Sequence, residues 1–227
     1  MTESAFSPRP EANYPVQLDV EPAITGRDRL STAFRLILAI PHLILVGGPV
    51  AGAFTWSSRP HHEHDSTSGA GGAGGGVIGV VAVVSAIIAW FAILFTGKYP
   101  DGLWKLVAFY LRWRARAAAY TALLRDEYPP FGEGSYPASL ELTPPTTPRD
   151  RLSVAFRILL AIPQLVVLWL LGIAWACTSI IAWFAILLTG KYPAGLYRFG
   201  VGALRWNLRV ESYLLLLHDA YPPFSLD

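Results

Sequence analysis

Trp90-Phe91-Ala92-Ile93-Leu94-Phe95-Thr96-Gly97-Lys98-Tyr99-Pro100 is an apolar run that stops at Gly-Lys-Tyr-Pro, and it returns as Trp183-Phe184-Ala185-Ile186-Leu187-Leu188-Thr189-Gly190-Lys191-Tyr192-Pro193. Two near-identical copies in one chain mark an internal repeat. Upstream, Tyr14-Pro15-Val16-Gln17-Leu18-Asp19-Val20 alternates apolar and polar residues, the pattern of a half-buried strand. Its copy is Tyr136-Pro137-Ala138-Ser139-Leu140-Glu141-Leu142, an offset of 122 positions from Tyr14 to Tyr136. Arg27-Asp28-Arg29-Leu30 and Phe34 to His42 return at the same offset, as Arg149-Asp150-Arg151-Leu152 and Phe156 to Gln164. The Trp-Phe-Ala-Ile-Leu motif returns at an offset of only 93, from Trp90 to Trp183. The first copy therefore carries an insertion between its apolar segments, which includes Arg59 to Asp65 and the glycine run Gly69 to Gly76. An amphipathic segment follows each Gly-Lys-Tyr-Pro, Leu103 to Tyr128 and Leu196 to Tyr221, and each ends in Tyr-Pro-Pro-Phe.

Hydrophobic residues make up 53% of the chain, charged ones 15%, and mean hydropathy is +0.39. A soluble domain carries roughly 25% charged residues, so the deficit points to a membrane. The one cysteine, Cys177, excludes an intrachain disulfide. Met1 to Arg29 lacks a basic start followed by an apolar core, so no cleavable signal peptide is expected and the first apolar helix directs insertion.

Residues 36–58 and 66–97 are uncharged, and each suffices for the roughly 20 apolar residues of a spanning helix. In the second copy 158–190 is uncharged. Extended to Arg151, with arginines reaching the interface, it accommodates two helices of about 18 residues joined by a turn near Gly172. A single tilted span after an interfacial helix fits the same stretch. With two spans per repeat, every lysine and arginine except Arg59 falls on one side, in accord with the positive-inside rule. The expected fold is thus a mainly α membrane protein with four transmembrane helices in two repeated hairpins. Each repeat adds a short N-terminal strand and a C-terminal amphipathic interfacial helix, and the two strands are expected to pair antiparallel. The expected organisation is a disordered tail 1–13, repeat 1 over 14–131 with an outer loop 57–76, a linker 132–135, repeat 2 over 136–224 and a tail 225–227.

The Gly-Lys pairs fail the phosphate-loop pattern, which needs four residues between two glycines and a following Ser or Thr. Gly97 and Gly190 instead suit the left-handed residue that ends a helix, with Lys98 and Lys191 complementing its negative pole. Tyr99 and Tyr192 are expected at the headgroup level. Gly69-x-Gly71-x-x-Gly74 follows no strand and reads as a linker. His61, His62 and His64, with Glu63 and Asp65, are weak metal-ligand candidates in a loop without a counterpart in the second copy. Arg35 and Arg157 lie near the starts of the apolar helices, where a guanidinium serves either lipid phosphate or structural anchoring. Asp28 and Asp150 are helix caps or partners. Lys105, Arg112 and Arg116, like Arg198, Arg205 and Arg209, are spaced seven and four apart and fall within about 20° of one line on a helix. These two stripes are the expected lipid- or partner-binding surface, facing anionic headgroups.

No catalytic constellation and no cofactor motif is present in the sequence, so a non-enzymatic role is expected. The runs Arg29 to His42, Trp90 to Pro100 and the Arg-Trp to Tyr-Pro-Pro-Phe tails resemble actinobacterial membrane proteins grouped as domain-of-unknown-function family 4389. The resemblance covers both repeats and implies a small integral membrane protein, often in tandem copies, with no activity to carry over. Gln164 departs from it where the first copy has His42. The leading expectation is an accessory or membrane-organising protein of the plasma membrane with both termini cytoplasmic. It binds anionic lipid or a membrane protein complex and no nucleic acid. The second is a small oligomeric transporter or channel, with Gly79, Ala82, Ser85, Ala86 and Ala89 allowing close helix contact.

Overall fold

A single α-helix of 33 residues, continuing through Pro163, distinguishes the second repeat in the computed structural model, which describes residues 14–48, 76–146 and 149–227. The elements are β1 (Val16–Val20), α1 (Arg29–Val46), α2 (Gly76–Thr96), α3 (Asp101–Thr121), β2 (Ala138–Leu142), α4 (Arg151–Ala155), α5 (Arg157–Thr189) and α6 (Ala194–Leu214). The 1–13 tail, most of the 57–76 loop and His61, His62 and His64 lie outside the described residues.

The expected turn near Gly172 is absent, because α5 runs straight through that residue. One glycine costs a helix interior only about 1 kcal/mol, and nothing around Gly172 would cap two new helix ends. The buried residues Arg157, Ala161, Gln164, Trp175, Ala182 and Ile186 share one face at helical spacing. The same face continues in repeat 1 across the insertion, through Arg35, Ala39, His42 and Val46 of α1 and Ala82, Ala89 and Ile93 of α2. Gly76, at φ +64°, seats against the end of α1, where a Cβ would come within 2.6 Å of the Ile44 and Leu45 carbonyl oxygens. The helix α2 thus begins where α1 stops, and the insertion interrupts one long helix. This corrects the hairpin reading: each repeat contributes a strand, one long apolar helix and one shorter, more polar helix. Among the described residues three helices, α1, α2 and α5, are long and apolar enough to cross a membrane, where four spans were expected.

The strands pair antiparallel as expected, with Leu18 opposite Leu140. Those two leucines are repeat equivalents, so a pseudo-two-fold axis passes between them. The ribbon buries Val16, Leu18, Val20, Ala138, Leu140 and Leu142, packs on α3 and α6, and turns Asp19, Ser139 and Glu141 outward. The helices α3 and α6 run antiparallel: Trp104 near the start of α3 donates to the Leu217 carbonyl just past α6, and Gly200 of α6 lies against Leu124 just past α3. The repeats also exchange their long helices. Trp90 Nε1 donates to the Val154 carbonyl at 2.9 Å, and Trp183 Nε1 donates to the Thr32 carbonyl at 3.0 Å.

If the insertion only interrupts a long helix, excising residues 47–75 joins Val46 to Gly76 and recreates the arrangement of repeat 2. The shortened chain is expected to fold with a higher helical signal per residue by circular dichroism and a thermal midpoint close to that of the full chain. A collapse of helical signal is the outcome a true hairpin loop would give.

Candidate functional site

Each shorter helix ends in a turn that leaves carbonyl groups without intrahelical partners, and buried arginines collect them. Asp28 caps α1 by accepting from Leu30 N–H, and Asp150 caps α4 by accepting from Leu152 N–H. The first cap starts the helix that carries Arg35, and the second starts α4, which leads into α5 at Arg157. Past α3 the chain turns through Leu123 at φ +65°, and past α6 through Leu216 at φ +64°. Arg35 Nη1 donates to the Tyr120 and Arg125 carbonyls, at 3.2 and 2.7 Å, and its other terminal nitrogen pairs with Asp126. Arg27 donates to the Leu123 and Leu124 carbonyls and approaches the same Asp126 carboxylate at 2.8 Å. The second copy repeats the pattern. Arg157 donates to the Tyr213 and His218 carbonyls and to Asp219, while Arg149 donates to the Leu216 carbonyl and lies 2.8 Å from Asp219. The guanidiniums of Arg35 and Arg157 also stack over Tyr120 and Tyr213, at 4.7 and 4.2 Å.

Arg35 and Arg157 are therefore packed inside the protein, with protein acceptors where lipid phosphate had been one expectation. Their signal in the sequence was the aspartate that recurs before each Tyr-Pro-Pro-Phe, Asp126 and Asp219, which hydropathy alone presents as a solvated helix end.

The cationic stripes do not lie on an open face. Lys105 and Arg198 are exposed, Arg112 and Arg116 are half-buried, and Arg205 and Arg209 are buried. Arg116 donates to the Gly132 carbonyl, Arg205 donates to the Leu226 carbonyl, and Arg209 stacks at 5.1 Å on Tyr14. The segments after the Pro-Pro turns and the strand ends fold back over the inner part of each stripe. Tyr99 and Tyr192, expected at the headgroups, are likewise buried; Tyr99 donates to the Leu215 carbonyl across the repeat boundary. Gly97 and Gly190 are the left-handed caps expected, at φ +74° and +70°, each returning its N–H to the helix it ends.

At the centre, Arg114 and Tyr110 of α3 meet Glu211 of α6. Arg114 Nε lies 2.6 Å from Glu211, Tyr110 donates to the same carboxylate at 3.0 Å, and Arg114 also donates to the Val46 carbonyl that closes α1. Burial, the largest single cause, opposes the charge on Arg114, but Glu211 and Tyr110 together outweigh it and raise the arginine above its ordinary value. The equivalents of these residues are Asn207, Ala203 and Ala118, so this group has no copy and sequence repetition does not reveal it.

The departure at Gln164 has a simple physical account. Trp113 Nε1 donates to His42 Nδ1 at 3.1 Å, and Trp206 Nε1 donates to Gln164 Oε1 at 2.8 Å. The position needs an acceptor for a buried indole, and either side chain supplies one.

A family model described as Domain of unknown function (DUF4389) matches residues 75–132 and 151–225, one segment in each repeat. No curated protein and no solved structure matches the chain.

Replacing His42 by Gln should change stability little, whereas His42→Leu strands the Trp113 N–H and should cost about 1–3 kcal/mol in chemical denaturation. His218 gives a second prediction. Burial first, then Arg157 and Arg149, hold its pKa down to about 3, against the weaker upward pull of the Ala220 backbone and Asp219. The unfolded chain binds this proton near the ordinary value of about 6.5, so stability present above that pH is lost as pH falls from there toward 3. His218→Gln should flatten this part of the stability profile by up to about 1.4 kcal/mol per pH unit.

Proposed function

The chain belongs to the DUF4389 family, whose description carries no activity, and from its own geometry we propose that it is a non-enzymatic membrane-organising protein that beds two long helices in one leaflet and engages anionic lipid. The observation that carries this reading is the direction of its polarity gradient, which runs across the long helices and not along them. Outward, among the described residues between their polar ends, they expose lipid-compatible side chains such as Phe34, Ile44, Val81 and Phe95, or Ile158, Trp169 and Leu188. Inward, at the midpoint of the same helices, lie the Arg114–Glu211 pair and then the ribbon with Asp19 and Glu141 exposed.

A spanning orientation would put that ribbon at the depth of the hydrocarbon core, where unpaired carboxylates are costly. It would also put Arg29 and Lys191 on the side of the membrane opposite Arg151 and Lys98, since each pair meets at one end of the long helices. Length supports the same reading. The helix α5 alone measures about 50 Å at 1.5 Å per residue. Fitting it across a core of about 30 Å requires a tilt beyond 50°, outside the usual 0–40° range. Laid flat, the protein keeps its pseudo-two-fold axis along the membrane normal and all of these cations on one side, the cytoplasmic side of the plasma membrane. Lys105 and Arg198, the exposed members of the two stripes, then stand over the headgroups.

The test uses fluorescent labels on single cysteines at Leu152 and Leu188, at opposite ends of the α4–α5 helix, in a Cys177→Ser background. In inside-out vesicles from the expressing cell, external dithionite is expected to bleach both labels together. A spanning α5 leaves one of them protected, and that result would overturn the flat orientation.

A further inference from the structure

Where α2 ends and α3 begins, the protein holds an open cavity of about 680 Å³ lined, among the described residues, by four cations, Lys98, Lys105, Arg149 and Arg151, and one acid, Asp101. Thr96, Gly97 and Tyr99 form the side nearest the long helix, and Pro144, Pro145 and Thr146 the other. Arg149 is 7% exposed and anchored by two contacts, its donation to the Leu216 carbonyl and its approach to Asp219. Its Nη1 is buried without a hydrogen-bond partner. Arg149 lines the cavity together with Lys98, Lys105 and Arg151, and this gathering of cations favours an anion there. The first turn of α3 opens here without a side-chain cap, which adds uncapped N–H groups on the same wall.

The pseudo-symmetric position is built from the same residue types and is closed. There Arg27 Nη1 already donates to the Ala23 and Leu124 carbonyls, at 2.7 and 3.1 Å. The backbone is sealed by Arg27 N–H to the Gly190 carbonyl and Tyr192 N–H to the Ile24 carbonyl. Among the described residues, neither bond has a counterpart joining Gly97 or Tyr99 to Thr146 or Arg149. The sealed copy turns through Gly26 at φ +67°. One of two equivalent sites is thus left open, with four cations in its wall.

We propose that this cavity is a binding site for a phosphoryl group, in the form presented by an anionic lipid headgroup at the membrane surface. The proposal rests on the membrane reading above and adds to it a defined, single-copy site. A phosphate monoester fits the donor set, since Arg149 and Arg151 offer planar donors and Lys98 and Lys105 mobile charges. Phe95, the last large apolar side chain of α2 and fully open on its outer face, marks where the acyl chains would lie.

The test compares two variants that remove equal charge. Lys98→Gln/Arg151→Gln alters the open site, and Lys191→Gln/Arg29→Gln alters its closed equivalent. With protein in a neutral detergent, titration calorimetry with dihexanoyl phosphatidic acid below its micellar concentration is expected to give saturable binding near one per chain. The open-site variant is expected to weaken it by about tenfold or more, the closed-site variant by less than about twofold, and circular dichroism melts should show both folded. Competition by inorganic phosphate at similar concentration would assign the site to the free anion, and its failure to compete would assign it to the lipid. Equal losses in the two variants, or no saturable binding by the wild type, would overturn the proposal. Vesicle flotation separates this from the membrane reading: the open-site variant should still float with vesicles through its apolar helices, and a wild-type protein that does not float counts against the membrane reading itself.

Discussion

Two guanidinium groups, those of Arg35 and Arg157, set the terms for the rest of the structure. Each is fully buried on a long apolar helix, where an unpaired charge would cost several kcal/mol. Each is satisfied by the one feature nearby that has acceptors to spare, the C-terminal turn of the neighbouring α3 or α6. A carboxylate just past that turn completes the set, and a second arginine from the preceding loop shares it. The clamp therefore fixes loop, long helix and polar helix to one another at a single point in each repeat. Removing the carboxylate or the turn would leave the arginine buried and uncompensated, which is why the two features recur together in the chain.

Duplication supplied two copies of this unit, and the interface between them required departures from symmetry. Glu211 accepts from Arg114 and Tyr110 across the boundary, and a mirrored group would place a second buried carboxylate close by in the same core. The insertion in repeat 1 leaves the end of α1 open, and Arg114 covers its last carbonyl. His42 and Gln164 differ in type yet do the same work, because the constraint is on the acceptor and not on the ring. Between β2 and α4 the chain has more prolines than its earlier copy, and there the wall stays open. These departures, more than the conserved repeat, are where the two halves acquire different chemistry.

The layering follows from the same packing. Small residues on the inner face of the long helix, Ala39, Gly79, Ala82 and Ala89 in repeat 1, let α3 approach closely. Small residues face the bulky or polar groups of α3, as Gly79 does Tyr110. With its inner face taken by protein, the long helix has only its outer face exposed. The polar helices and the ribbon lie behind it, so the exposed apolar side chains of the long helices gather on one face and the exposed carboxylates of the ribbon on the other.

Much of this was legible in the chain itself. Alternation at Val16 to Val20 and Ala138 to Leu142, the repeat offsets, the aspartate caps and the left-handed glycines are local signals with local causes, and each is realised where it was expected. What the sequence could not decide is what covers each face. Hydropathy weighs Leu36, which faces outward, and Leu111, which is buried in the core, alike. A run of 33 uncharged residues reads equally as a hairpin or as one long helix, because the difference lies in a turn that glycine permits but does not compel. A stripe of arginines reads as solvated until the tail that folds over it is placed. The motif from Trp90 to Pro100 shows both sides of this division. Its glycine cap and helix end were determined by residue type alone, through backbone sterics. That its tryptophan would reach the opposite repeat and its tyrosine would be buried beneath it was decided only by tertiary structure, since those partners lie 64 and 116 positions away along the chain.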